Sequence, residues 1–433
     1  MNISQLIGII VLLSCAQSVF AGPHEFEEAA DLRATDVLSA DLLKGDHHTV
    51  EDRVQNDGYV NYYSIKSDYG EFEATSTAML RTRVGEINAL AALDDLSKTE
   101  VFIKAAADAG VGQIKALTQF AMNPIETVVG IPSGIGRMFK RYSRQAGDAV
   151  DSTKEFVAGD DEEATEDGEG GEDEESTTDK AVGLTESFFG VSGAERAWAQ
   201  KLGTDPYSSN EMLRAAVKEV AWAERLGRFG MGFAGIPEIP GADIIGDVNE
   251  AVWSKDPYEL QDLNRARLEA IGAEETLIEE YIENARLSPS QQTLLTAAIA
   301  EIEGAAGRDG ILRQALNTET ESEANFLIKS VTMLAWYHIN QKPITAVMTY
   351  SAVPVGVTED GTAALLFAVD HVYWTDTIAD AARNHAEQAS GPQNSVSEIW
   401  LLGFASDRTR QELTDLGYSV YEDVASMIVV ASD

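Results

Sequence analysis

Only one of the 433 residues is a cysteine, Cys15, so no disulfide can form within the chain and no cysteine-built metal site is available. Bases are scarce as well. Lys and Arg number 32 against 72 Asp and Glu, for a net charge of −40. A field of that sign repels DNA, RNA and anionic lipid wherever no local basic patch overrides it. Nucleic-acid binding along the whole chain is therefore not expected. Beyond the N-terminal stretch no apolar run reaches the ~18 residues that span a bilayer, so no transmembrane helix is expected in the mature chain. Histidines number six, which leaves few general bases or metal ligands, and no cofactor is expected.

What is present begins with a reversal of charge. Between Thr127 and Gly147 there is no acid, yet Arg137, Lys140, Arg141 and Arg144 fall close together. Shortly after, GDDEEATEDGEGGEDEE places eleven acids and no base from Asp160 to Glu175. Such a run repels itself and has no apolar surface to bury, which predicts a disordered, solvated linker over 158–180. At the start of the chain, Leu6 to Leu13 is a compact apolar core, and Val19-Phe20-Ala21 puts small residues ahead of Gly22. That reads as a signal peptide over 1–21, cleaved after Ala21, although no Lys or Arg precedes the core. Leu12-Leu13-Ser14-Cys15 resembles a bacterial lipobox, with Cys15 as the lipidated residue, and stands as the alternative. An exported chain without disulfides is held by its cores alone, which suits a Gram-negative periplasm or an outer-membrane association.

The expected fold class is mainly α with a small α/β C-terminal unit and an N-terminal β-hairpin packed on helices. Residues 22–56 show little periodicity and are expected as a mobile lead-in with a short helix near Asp36 to Leu43. Residues 59–65 and 71–75 read as paired strands around Gly70. A helix capped by Thr77 follows, and another runs from Glu100 through Ala107, within a hairpin-plus-helix domain over 22–157. An all-α domain is expected over 181–342, with Ser288-Pro289 a cap and first-turn pair. The pairs Asp205-Pro206 and Asp256-Pro257 both stand ahead of helical stretches. From 343 to 433 the texture becomes α/β: strands near 345–350, 353–357, 363–369 and 399–404, helices over 376–389 and 408–416, and a short strand at Ile428-Val429-Val430.

The basic segment 133–146 is the leading candidate site. Ile135, Met138, Phe139 and Tyr142 follow helical spacing on one face, while Arg137, Arg141 and Arg144, flanked by Lys140, fall on another. That is the pattern of an interfacial helix, and equally of a core helix whose solvated face is basic. Gly130 to Gly136 has the glycines of a phosphate loop but lacks the Gly-Lys-Ser/Thr ending, and Pro132 removes a donor. Asp46, His47 and His48 offer three ligand types, but neighbours on a chain seldom converge on one metal. Asp370-His371 at a strand end, with Trp374 and Asp376 nearby, is the most enzyme-like cluster. Adjacent strand residues point to opposite faces, however, which argues against Asp370 orienting His371. The expected function is a non-enzymatic envelope protein that binds an unidentified protein partner or an anionic membrane surface through 133–146. The alternatives are a periplasmic hydrolase using His371 and Asp376, and a membrane-inserting protein using the Gly-rich apolar segments 124–139 and 226–246.

Overall fold

The computed structural model describes residues 26–108, 138, 188–227, 246–349, 351–389 and 396–431. Its first sheet is built from β1 (Leu32–Arg33), β2 (His48–Val50), β3 (Arg53–Asn56), β4 (Asn61–Ser67) and β5 (Gly70–Thr75), with short helices α1 (Ala34–Val37) and α2 (Ala40–Leu43) between β1 and β2. β4 is the centre: β5 pairs antiparallel along one edge, while β2 and β3 divide the other edge between them. The β4–β5 hairpin and its turn are where the sequence puts them, with Gly70 at φ +115°. The lead-in before it differs from expectation, since it holds three strands and two short helices. Segments of two to four residues are too short to show a period, and it is pairing with β4 and β3 that orders them.

Helix α3 (Thr77–Ser97) then crosses the sheet and α4 (Glu100–Asp108) follows. Thr77 does not cap α3. Ser76 does, its hydroxyl accepting the Met79 N–H while its backbone sits at φ +89°. After these come α5 (Gly193–Leu202), capped by Ser192, and α6 (Glu211–Gly227). Both pack with the N-terminal sheet. Ile65, Leu80, Ile87, Leu90, Trp198, Leu213 and Val220 share one hydrophobic core.

Five more helices, α7 (Gly246–Ser254), α8 (Pro257–Ala270), α9 (Glu275–Ile282), α10 (Pro289–Glu301) and α11 (Gly310–Leu316), lead to α12 (Glu321–Asn340). The second sheet has the order β12-β10-β8-β7-β6. Its strands are β6 (Ile344–Met348), β7 (Val355–Thr358), β8 (Thr362–Phe367), β10 (Val396–Leu401) and β12 (Tyr418–Tyr421). β8, β10 and β12 run parallel. Their connections carry α13 (Asp376–Ala389) and α14 (Asp407–Asp415), as parallel pairing requires. A small parallel pair, β9 (His371–Val372) with β11 (Phe404–Ala405), extends the strand ends. The apolar run at 428–430 is not a strand. It lies in α15 (Val424–Ala431), whose Val424 and Ile428, one turn apart, face inward. A larger core joins the helices from α8 to α12 with this sheet, and Tyr59 and Val60 belong to it. A third, smaller cluster centres on Phe188, Tyr207, Val248 and Leu260.

Helices and several sheets, an N-terminal antiparallel one among them, thus make the fold mixed α and β. No described helix is long and apolar enough to cross a membrane.

Candidate functional site: a polar seam between two cores

Where the two larger cores meet, the side chains are polar. Glu86 on α3 is 3% exposed, the one charged residue on the otherwise apolar buried face of that helix. Its carboxylate accepts from Arg83 at 2.7 Å, from Asn210 Nδ2 at 3.1 Å and from the Ser208 hydroxyl. A buried carboxylate is tolerable only when its lone pairs are used in this way. Arg83 also donates to Ser209 Oγ at 2.9 Å, and Ser209 donates to Glu321 at 2.8 Å. One chain of hydrogen bonds therefore links α3, the loop before α6 and the first turn of α12.

Asp205 lies on the same loop. It accepts from Ser290 Oγ at 2.5 Å and from the Tyr207 N–H at 2.8 Å. Burial, opposed by those two bonds and aided by the charges of Glu86 and Glu321, pushes its carboxyl up to about 6. The Asp205-Pro206 and Asp256-Pro257 pairs thus do different work. Asp256 closes a capping box with Glu259 at the start of α8, whereas Asp205 holds the loop to Ser290 on α10.

Asp370 makes the second joint. Its carboxylate receives the backbone N–H of Asn61 at 2.9 Å and of Thr77 at 3.0 Å, tying the end of the second sheet to the first sheet and to the start of α3. Burial raises its pKa and these donors oppose the rise. Asp370 is therefore committed to the N-terminal sheet, and His371 on the next position turns elsewhere. The His371 ring stacks on Tyr373 at 4.7 Å, its pKa lowered first by burial, with Glu422, Glu27 and Arg410 the charges around it. Arg410 pairs with Glu422 at 2.7 Å, and Glu27 accepts from Ser406 Oγ and the Trp374 N–H. The Asp376 carboxylate accepts from Thr377, its own neighbour, and is not among the charges around His371. His371, Asp370 and Asp376 are close in sequence and are not gathered into one constellation.

The other sequence candidates separate too. His48 is 4% exposed and donates from Nε2 to the Leu42 carbonyl at 3.1 Å. His47 donates to Asp68 at 2.9 Å, and Asp46 joins neither bond. Among the described residues no group of three His, Cys, Asp or Glu could hold a metal. In the basic segment only Met138 is described. It is 1% exposed and part of the larger core. Ile135, Arg137, Phe139, Lys140, Arg141, Tyr142 and Arg144 lie outside the described residues, as do Cys15, Ala21, the acidic run and most of 124–139 and 226–246.

The seam itself escaped the sequence because its members, Glu86, Asp205, Ser290 and Glu321, are scattered over more than half the chain. In a composition this acidic, single carboxylates carry no signal. The only local hint was an acid at position 86 inside the apolar stripe of α3. No protein-family model matches the chain, and comparison with curated proteins and solved structures finds none similar to it.

Proposed function

We propose that this is an exported, non-enzymatic binding protein of a Gram-negative envelope, periplasmic or outer-membrane associated, whose basic segment 133–146 meets an anionic membrane surface or a protein partner. The reading is carried by one observation: four cations and no acid fall between 127 and 147 in a chain of net charge −40. Each cation held at an anionic leaflet gains about 1 kcal/mol. Met138, enclosed in the core, fastens the segment to the folded body and takes itself out of the contact stripe with Ile135, Phe139 and Tyr142. On a helix residue 141 is three positions from 138 and shares its side, while 137 and 144 lie farther round, so the contact falls to Arg137 and Arg144 with Arg141 at its edge. The acidic run within 158–180 is a solvated spacer that competes for those cations at short range, since salt screens the attraction beyond ~8 Å. Export rests on the apolar core Leu6 to Leu13 and on Val19-Phe20-Ala21. Around this segment we place a largely helical body and a C-terminal α/β unit.

The test is sedimentation of the protein with vesicles containing phosphatidylglycerol, repeated at rising salt. Binding should weaken steeply with salt and be lost in the Arg137→Glu, Arg141→Glu double variant. Binding by the variant equal to that of the wild type would overturn the assignment.

A further inference from the structure

The arm ahead of β1 begins on the C-terminal unit. Glu27 N–H donates to the Trp374 carbonyl at 2.7 Å. Its carboxylate accepts from the Trp374 N–H at 2.7 Å and from the Ser406 hydroxyl at 2.5 Å. One residue thus engages both backbone groups of Trp374. Phe26 packs against the larger core, and the Arg383 guanidinium on α13 lies 5.9 Å from its ring and 5.9 Å from the Trp374 ring. Behind this tip the chain is loosely held. Asp31 pairs with Arg53 on β3 at 2.9 Å, but no hydrogen bond to the described residues holds Glu28, Ala29 or Ala30. The arm is a strap, fixed to the first sheet at one end and touching the second unit at the other. Releasing such a tip costs only the contacts of the tip itself.

The tip sits where an α/β unit receives its ligands. β8, β10 and β12 run parallel, and the β9–β11 pair prolongs their carboxyl ends. Open α/β sheets bind ligands outside those ends. Trp374 follows β9 and Ser406 follows β11, so both donors that hold the Glu27 carboxylate stand there. Ser406 also caps α14, accepting the Thr409 N–H at 3.0 Å. His371 and Tyr373 beside them feel the Glu27 charge after the effect of burial. One donor is left over. The Trp374 indole N–H is fully buried and has no hydrogen-bond partner among the described residues. A buried donor without an acceptor calls for an explanation, and a place that takes more than Phe26 and Glu27 supplies one.

We propose that these strand ends form a receptor for an extended peptide carrying an aromatic residue followed by a glutamate, and that Phe26-Glu27 fills it in cis as a displaceable strap. The Trp374 carbonyl fixes the peptide backbone, while the Trp374 N–H and the Ser406 hydroxyl read the carboxylate. Arg383 and Trp374 receive the ring. Main-chain bonds of this kind supply affinity and the side-chain contacts supply selectivity. The receptor is distinct from segment 133–146, and neither depends on the other.

Fluorescence anisotropy of a labelled peptide of residues 26–31, acetylated at Phe26, reads the receptor in the full chain. In the Phe26→Ala, Glu27→Ala double variant the receptor is vacated, and the peptide should bind saturably. In the wild type the tethered strap competes at an effective concentration of about 1 mM, so a peptide with a Kd of ~0.1 mM should bind about tenfold more weakly. The same peptide with Glu27→Gln loses the charge-assisted bonds and should bind the double variant about tenfold more weakly too. Adding Ser406→Ala to the double variant should weaken the unaltered peptide. Circular dichroism checks the fold. Where the double variant unfolds, Glu27→Gln replaces it, since that change keeps Phe26 and the backbone bond to Trp374. Equal affinity for variant and wild type, no saturable binding to a folded variant, indifference to the altered peptide, or unfolding of both variants would overturn the proposal.

Discussion

At Gly403 the backbone runs so close to Asp370 that an added Cβ would lie 2.0 Å from the Asp370 carbonyl oxygen. The approach is fixed from several sides. Gly403 N–H donates to Val369 at 2.9 Å, Phe404 N–H donates to Asp370 at 2.9 Å, and the Gly403 carbonyl accepts from Asp423 at 2.8 Å. Backbone cannot yield as a flexible side chain can, so Gly403→Ala must push apart the β9–β11 pair that carries Asp370. A cost of about 3 kcal/mol is expected, seen as a lower urea midpoint at unchanged slope. A midpoint equal to that of the wild type would mean that the two segments separate freely. The sequence offered Leu402-Gly403-Phe404 as part of one apolar strand. The glycine is instead the point where β10 ends and the chain steps across to β11, a role that depends on a neighbour more than thirty residues away.

Among the elements, legibility followed local chemistry. Ser288-Pro289 caps α10 in a box closed by Gln291, and the β4–β5 hairpin turns at Gly70 with φ +115°. Asp376 to Ala389 is helical as its spacing implies. In each case the information lies within four residues. The elements that were missed take theirs from partners: β1, β2 and β3 exist through pairing, and the β-branched run at 428–430 is helical because Val424 and Ile428 meet the core one turn apart. The caps also permit a test of how much local chemistry contributes. Asp256→Ala removes the bond to the Glu259 N–H at 2.9 Å and the return bond to its own N–H loses its frame. The exposed cap should cost about 1 kcal/mol in urea unfolding. Ser76→Gly, by contrast, should cost less than a lost cap or even stabilise, since glycine adopts φ +89° without strain while losing the Met79 bond. A loss as large as that of Asp256→Ala would show that the Ser76 hydroxyl outweighs its backbone strain.

For the molecule as a whole, the seam and the C-terminal sheet give opposite dependences on pH. Asp205, ordinarily near 3.8, is pushed up to about 6, chiefly by burial. Between those values the folded chain binds more protons than the unfolded one, so this group makes stability fall as pH rises. His385, ordinarily near 6.5, is lowered to about 4 by burial, its Nδ1 donating to the Tyr418 oxygen while Tyr418 donates to the Ala382 carbonyl. Between those values the unfolded chain binds more protons, so this group makes stability rise with pH. Each effect is worth about 3 kcal/mol, and the two windows overlap from about 4 to about 6, where they offset one another. Asp370, also raised by burial, acts in the same direction as Asp205. Removing one member should therefore expose the other. Asp205→Asn keeps an acceptor for the Tyr207 N–H and loses the titration, so relative to wild type its stability should climb between pH 4 and pH 6. His385→Gln should do the reverse over pH 4 to 6.5, falling relative to wild type as pH rises. Urea midpoints measured at half-unit pH steps decide both. Parallel pH profiles for either variant and the wild type would mean that the group titrates normally in the folded chain, its charged form carrying no penalty from burial.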